Sequence, residues 1–295
     1  MKRHVAAWAL SIAAIAAVGG AAAMTVWPNA TTGPGFLEGL TAAAAGDRIP
    51  VQLPQAIINT DGKGCNLPAL DVSDMSKFNY KARWHASEWA NAGSTIAWKY
   101  DHVQPSGGQI FLRLDADGAP QLQAVDGTAA QDDGLWEADV TLPELREGVI
   151  VAPLWIYDRD TKDEVDFEFA GRRGLDVSMH AWPGGQHRTT TIRLFAGTDF
   201  SHKRMCFGIR AKRAAGQVEM LINGAVVYTW DRSRMDFYIS HPMRPFIEMW
   251  SVDPASPGMV TWAGRFQGFS AGEHMTMIVN GYRFTPASSA GPAAR

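Results

Sequence analysis

From residue 96 onward the chain is a succession of short apolar or alternating runs, each cut off by turn-forming residues. The runs fall at 96–100, 109–114, 135–142, 149–157, 164–169, 175–182 and 190–195, then at 205–211, 218–222, 225–230, 237–240, 245–251, 260–266 and 275–284. Between them stand Asp117-Gly118, Asp126-Gly127, Asp133-Gly134, Gly184-Gly185 and Asn223-Gly224. Runs of this length and period are strands, because successive side chains of a strand point to opposite faces. Asn223-Gly224 between two apolar runs predicts a tight hairpin of type I′, which needs positive φ at both central residues. So many strands with no long helical period exclude the alternating α/β folds and predict an antiparallel sandwich or barrel. No repeat of fixed period is present, which excludes a propeller or solenoid. Nothing divides the runs into two cores, so one domain is expected.

The ends of the chain read differently. Lys2-Arg3-His4 precedes a stretch, 5–26, without a charge, and Ala21-Ala22-Ala23 closes its first part. A basic start, an apolar stretch and a small-residue cleavage site make residues 1–23 a signal peptide. The competing reading is an uncleaved membrane anchor, but the stretch is rich in Ala and Gly and only weakly apolar. Residues 24–50 are read as a flexible linker, 51–285 as the folded body and 286–295 as a tail. The expected location is secreted or periplasmic, with no membrane span in the mature chain. In such a compartment Cys65 and Cys206 can form a disulfide. A buried free thiol at Cys206 is the alternative, since that residue lies in an apolar run. No CxxC or Cys/His spacing surrounds either cysteine, so no metal site is expected there. Lys plus Arg number 27 against 30 Asp plus Glu, which leaves no basic excess for a nucleic-acid partner.

The stretch 163–169 carries the chemistry. Glu164, Asp166 and Glu168 alternate with Val165, Phe167 and Phe169. On a strand all three acids share one face while the apolar three pack inward. Like charges so close are costly, and no base within the run offsets them. Glu164 and Glu168 have Cα atoms roughly 13 Å apart on a strand. Side chains leaning together could bring the carboxyl groups to roughly 5–6 Å, near what a retaining glycosidase needs. Crowding also splits the pKa values, so that one acid holds its proton while another is ionised. Two other readings of the acids stand beside this one: calcium binding, which wants more oxygens than a flat strand supplies, and a solvated acidic strand.

Eleven Trp residues offer flat platforms for sugar rings. Trp155 precedes the acidic run, His180 and Trp182 follow it, and Trp250 lies on a later strand. Trp84, Trp98, Trp136, Trp230 and Trp262 are also available, and core packing is the plain alternative for each.

With these residues in hand, the chain resembles glycoside hydrolase family 16, the group of laminarinases, lichenases and xyloglucan transferases. The family's Glu-x-Asp-x-(x)-Glu motif appears as Glu164-Val165-Asp166-Phe167-Glu168, followed by Phe169-Ala170-Gly171. Residues 135–143, Pro153-Leu154-Trp155, 217–228 and 279–284 resemble further strands of the family. The resemblance implies a concanavalin A-like jelly roll, a sandwich of two curved antiparallel sheets with a cleft across one. It implies Glu164 as nucleophile, Glu168 as general acid/base and Asp166 as the residue tuning them, with Trp155, His180, Trp182 and Trp250 lining the cleft. Asp139 stands where the family has a base, and Asn280-Gly281 replaces Asp-Tyr. Lys203, Arg204, Arg210, Lys212 and Arg213 form an unusual basic run, either facing an acidic polysaccharide or lying in a solvated loop.

The expected activity is that of an exported retaining endo-β-glycanase hydrolysing O-glycosyl bonds of a β-glucan or bacterial exopolysaccharide, with transglycosylation when a sugar replaces water. The partner is a polysaccharide, and the protein is expected to act as a monomer. No cofactor is required, and the one metal the acids admit is a structural calcium. The alternative is a non-catalytic carbohydrate-binding or matrix protein on the same sandwich.

Overall fold

The computed structural model describes residues 64–70, 84–124 and 130–287. The signal, the linker and residues 288–295 of the tail lie outside the described residues. Among the described residues no helix is long and apolar enough to cross a membrane.

Among the described residues fourteen strands form two antiparallel sheets of seven. The front sheet runs, edge to edge, β1 (Trp84–Ala86), β4 (Gln121–Ala124), β13 (Arg244–Ser251), β6 (Val149–Tyr157), β7 (Glu164–Ala170), β8 (Leu175–Ala181) and β9 (Arg188–Leu194). The back sheet runs β12 (Ala225–Asp231), β11 (Gln217–Ile222), β10 (Arg204–Lys212), β5 (Gly134–Thr141), β14 (His274–Pro286), β3 (Gln109–Asp115) and β2 (Val103–Ser106). The architecture is a jelly-roll sandwich: of the sandwich or barrel that the alternating runs predict it is the sandwich, in the form that the resemblance implies.

Alternation builds the core. Val165, Phe167 and Phe169 of β7, Val177 and Met179 of β8, and Ile247 and Met249 of β13 are fully buried. They meet Leu112 and Leu114 of β3, Val140 of β5, and Phe207 and Ile209 of β10 from the other sheet. Phe207 reaches across to Phe167 and Phe169, with ring centroids 5.4 and 6.0 Å apart. Each such side chain contributes about 1.5–3 kcal/mol by leaving water. Trp84, Trp98, Trp136 and Trp230 belong to this core. At the hairpin joining β11 to β12, Asn223 and Gly224 have φ of 50° and 79°, the left-handed pair that a type I′ turn requires.

Three runs differ from their sequence reading. Residues 260–266 are not a strand: Pro257–Ala263 forms a short helix, α1. Val260-Thr261-Trp262 has strand-forming side chains, but Pro257 in the first turn and Gly264 after the last residue are helix boundaries. Residues 237–240 form no strand, and the Ser240 N–H instead donates to the buried carboxylate of Asp163. Residues 96–100 contribute a single bridge, Trp98 to Ala119.

A strap, residues 64–70, crosses the back sheet. Cys65 is disulfide-bonded to Cys206 of β10, with Cα atoms 5.5 Å apart. The Cys65 N–H donates to Asp139 Oδ2 at 3.0 Å. Asp139 is fully buried and receives both Nε and Nη2 of Arg204 at 2.9 Å. The Tyr282 N–H donates to the Pro68 carbonyl at 3.0 Å, and a Cβ on Gly281 would fall 2.6 Å from the Leu67 carbonyl oxygen. The two departures from the family pattern, Asp139 and Asn280-Gly281, are thus the seat of this strap. Asn280 Nδ2 also bonds Thr141 Oγ1 at 3.0 Å, beside Asp139.

Lys203 apart, the basic run is neither a loop nor a free cationic surface. It lies in and around β10 of the back sheet and is matched by the chain's own acids. Arg210 and Lys212 each reach Glu219 at 2.6 Å, and Arg213 reaches Asp132 at 2.8 Å and Asp133 at 3.2 Å. No acidic polysaccharide is needed to account for these charges.

Candidate active site

Because Val165, Phe167 and Phe169 face inward, Glu164, Asp166 and Glu168 stand together on the outer face of β7. On one side β6 sets Tyr157 against Glu164 and Trp155 against Asp166. On the other, β8 sets His180 against Glu164, Ser178 against Asp166 and Asp176 against Glu168. Beyond β6, β13 carries Phe246, Glu248 and Trp250 on this face. The face is recessed: Trp155, Tyr157 and Phe246 point away from the core between the sheets yet remain buried as a cluster of their own.

Burial in a recess full of acids dominates the electrostatics. Glu164 is pushed well above the usual carboxylate range by burial and then by the charge of Asp166, against the pull of His180. Asp166, only 2% exposed, is raised by burial, with its hydrogen bond to Glu164 opposing and Glu248 adding. Glu168 is raised by burial, then by Asp166, Glu164, Asp176 and Glu248. His180 Nε2 lies 3.2 Å from Asp166 Oδ2 and 4.0 Å from Glu164 Oε1. Its Nδ1 is 3.0 Å from His187 Nε2, and the two imidazoles stack 7° from parallel. Burial lowers the pKa of His180, and lowers His187 to about 4 with His180 adding, so the pair is neutral at pH 7.

Such a strand, with two glutamates flanking a buried aspartate across a recessed sheet face, can be compared with known proteins. The family model for glycosyl hydrolases family 16 matches residues 90–267. The chain belongs to that family. Among solved structures it is similar to a lichenase from a mouse hindgut metagenome, at 16% identity and TM-score 0.55, covering 69% of this chain and 93% of that one. It is similar to the β-glucanase of Bacillus licheniformis at 15% identity and TM-score 0.55, covering 69% and 92%. It is similar to the laminarinase catalytic domain of Thermotoga petrophila at 15% identity and TM-score 0.53, covering 68% and 90%. At these identities the likeness is one of fold. No curated protein is similar enough in sequence to match.

Within this family 16 site the aromatic residues differ in what they offer. Trp155 is 7% exposed and stacks on Phe246 at 4.3 Å, so it supports the face more than it presents a surface. Trp182 is covered by His187 at 4.8 Å and by the Lys162 ammonium at 4.6 Å. Trp250 is partly exposed, lies 6.4 Å from Trp262 of α1 and packs against Gly93, where a Cβ would come within 3.1 Å of its ring. Trp262 in turn donates its indole N–H to Asp176 at 2.9 Å. Asp176, 1% exposed, is also held by both Nε and Nη2 of Arg193 at 2.7 Å. Ligand atoms of Glu164, Asp166 and His180 lie within 4.8 Å of one another and could hold a divalent ion.

Four residues of this face escaped the sequence reading: Glu248, Gln121, Asp176 and Arg193. Glu248 had a usable signal, since it alternates with Phe246 and Trp250, the latter already a candidate. The other three depend on which strands lie side by side, which no local pattern states.

Proposed function

We propose that this family 16 protein is an exported retaining endo-β-glycanase acting on a β-linked glucan or exopolysaccharide. The observation that carries the reading is the three-acid face of β7, whose carboxyl groups are all held above their ordinary range by burial. Glu168, raised by burial and by four other acids, donates its proton to the leaving glycosidic oxygen. Glu164 attacks the anomeric carbon from the opposite face and forms the glycosyl-enzyme. Glu164 and Asp166 share a hydrogen bond, and with its proton held by Asp166 Glu164 is the carboxylate that attacks. Glu168, now ionised, takes a proton from water, which releases the sugar with retained configuration. A second sugar in place of water gives transglycosylation.

The chemistry needs no metal. Two carboxylates and an imidazole suit a zinc-like ion better than a structural calcium, which prefers six to eight oxygens. Such an ion would occupy the nucleophile and block the reaction. On this reading Trp250 and His180 touch sugar, with Trp155 buried behind them and Trp182 partly covered by His187 and Lys162. Secretion or periplasmic location is supported by the signal-like start and by the Cys65–Cys206 disulfide, a bond of oxidising compartments.

The test is digestion of a panel of β-1,3-, β-1,4- and mixed-linkage glucans and bacterial exopolysaccharides, with product analysis, by the wild type and by Glu164→Ala. Cleavage of at least one glycan by the wild type and none by the variant is expected. Equal cleavage by the variant would overturn the assignment of the nucleophile.

A further inference from the structure

Glu248 is a buried acid on the substrate face that the double displacement does not use. It lies on the outer side of β13, because Ile247 and Met249 on either side of it are fully buried between the sheets. Only 8% of it is exposed, and that remainder belongs to the recessed face. Its surroundings are directional. Gln123 Nε2 donates to Ser87 Oγ at 3.1 Å, Ser87 Oγ donates to Gln121 Oε1 at 2.5 Å, and Gln121 Nε2 donates to Glu248 Oε2 at 2.5 Å. The indole N–H groups of Trp155 and Trp250 lie near enough to bear on Glu248, though that of Trp155 makes no well-aligned hydrogen bond. Every donor in this chain points toward Glu248, an arrangement that polarises in one sense and suits a carboxylate acceptor. Its ion pair is missing, however: among the described residues no Lys or Arg bonds Glu248.

Asp163 and Asp166 share that lack, but three other buried acids do not. Asp139 has Arg204, Asp176 has Arg193, and Asp115 has Arg113 at 2.7 Å. The two arginines nearest in the sheet do not serve Glu248. Arg193 is committed to Asp176, and Arg244 stands four residues along β13, opposite Tyr157. A second polar atom on the face lacks a well-aligned partner: Asp166 Oδ2 is buried, with His180 Nε2 3.2 Å away but no well-aligned hydrogen bond to it. Burial and the charge of Glu164 raise Glu248 to about 8, while the donors oppose that shift. A hydroxyl from a neutral sugar would add one more donor but would leave the like-charge repulsion in place. An ammonium group would relieve both.

We infer that Glu248 is a specificity-determining residue that receives the free amino group of an amino sugar, so that the glycan bound across this face carries unacetylated amines. The inference rests on the glycanase reading for its substrate but not for its measurement, because binding can be read without cleavage. Isothermal titration would compare three oligosaccharide series of equal length, in both β-1,4 and β-1,3 linkage. The series carry an amine, an N-acetyl group or a hydroxyl at the same sugar carbon. The wild type is expected to bind the amine series about tenfold more tightly than the other two. Glu248→Gln keeps the Gln121 contact and should bind all three series about equally. Raising the salt concentration should weaken only the amine series with the wild type. Equal binding of the three series by the wild type, no binding of the amine series in either linkage, or a preference that survives Glu248→Gln would each overturn the inference.

The two proposals fail separately. Glucan cleavage that depends on Glu164, with no amine preference in binding, removes only the role of Glu248. Amine binding that depends on Glu248, with no glycan cleaved, removes the glycanase reading and leaves the subsite.

Discussion

The two sheets treat buried acids in opposite ways. In the back sheet Asp139 is held by Arg204, Glu219 by Arg210 and Lys212, and Asp115 by Arg113 and His102. The pairing holds the Asp115 and Glu219 carboxyl groups below their usual range, despite their burial. In the front sheet Glu164, Asp166, Glu168 and Glu248 crowd together without a Lys or Arg bonded to any of them among the described residues, and all four are pushed up. Only Asp176, at one end of that face, has an arginine. The same chain therefore supplies counter-ions where stability alone is at stake and withholds them on one face. Unpaired acids in a recess are a cost to folding, and that cost marks the face as one that meets a ligand.

The sharpest way to break this contrast is on the front sheet. Glu168→Ala should lower kcat on an unactivated glycan by about 10³-fold or more, as expected for removal of a general acid. Azide should rescue turnover of an activated aryl glycoside and yield a glycosyl azide of retained configuration. An inverted product, read by NMR, would end the double-displacement reading. The back sheet predicts the reverse pattern. Arg204→Ala leaves Asp139 buried without its cation and should cost about 3 kcal/mol in denaturant unfolding. Glycan cleavage by the fraction still folded should be little changed.

A third measurement asks whether a front-sheet acid truly costs stability. Below about pH 4, Glu248 is protonated both in the unfolded chain and in the fold, so it contributes no pH dependence. As pH rises toward 8 the unfolded chain ionises first while the fold keeps the proton, so stability falls through this window. Glu248→Gln should therefore raise the melting temperature at pH 8 and leave it unchanged at pH 4. The gain should be about 4 kcal/mol, since the shift from 4.5 to about 8 spans three to four tenfold steps of about 1.4 kcal/mol each. Loss of stability at pH 8 would mean that Glu248 is paired like the acids behind it. The smallest effect belongs to pairs at the surface: Arg283→Ala, which takes a half-exposed guanidinium from Glu137, should cost less than about 1 kcal/mol in the same unfolding assay.

What could be read from the sequence follows the range of the interaction. The sandwich was legible because each strand announces itself locally through its own alternation and its own turn, as at Asn223-Gly224. The three acids of β7 were legible for the same reason, since one strand of seven residues places them all. Glu248 joins them only because β13 lies beside β6, and Arg193 meets Asp176 only because β9 lies beside β8. Asp139 and Asn280-Gly281 could be seen as departures, but their reason is a strap more than seventy positions away in sequence from Asp139. The helix at Pro257–Ala263 was misread because its side chains favour strands, while its proline and glycine boundaries carried the contrary signal.

The strap also decides how the protein can be moored. Cys65 lies on the back sheet, pinned by the disulfide to β10, and β14 belongs to the same sheet. Whatever stretch of polypeptide is joined before Gly64 therefore pulls on the rear of the sandwich, and a covalent bond, not a few side-chain contacts, takes the load. Held this way, the molecule presents its acids outward like the working face of a tool gripped from behind.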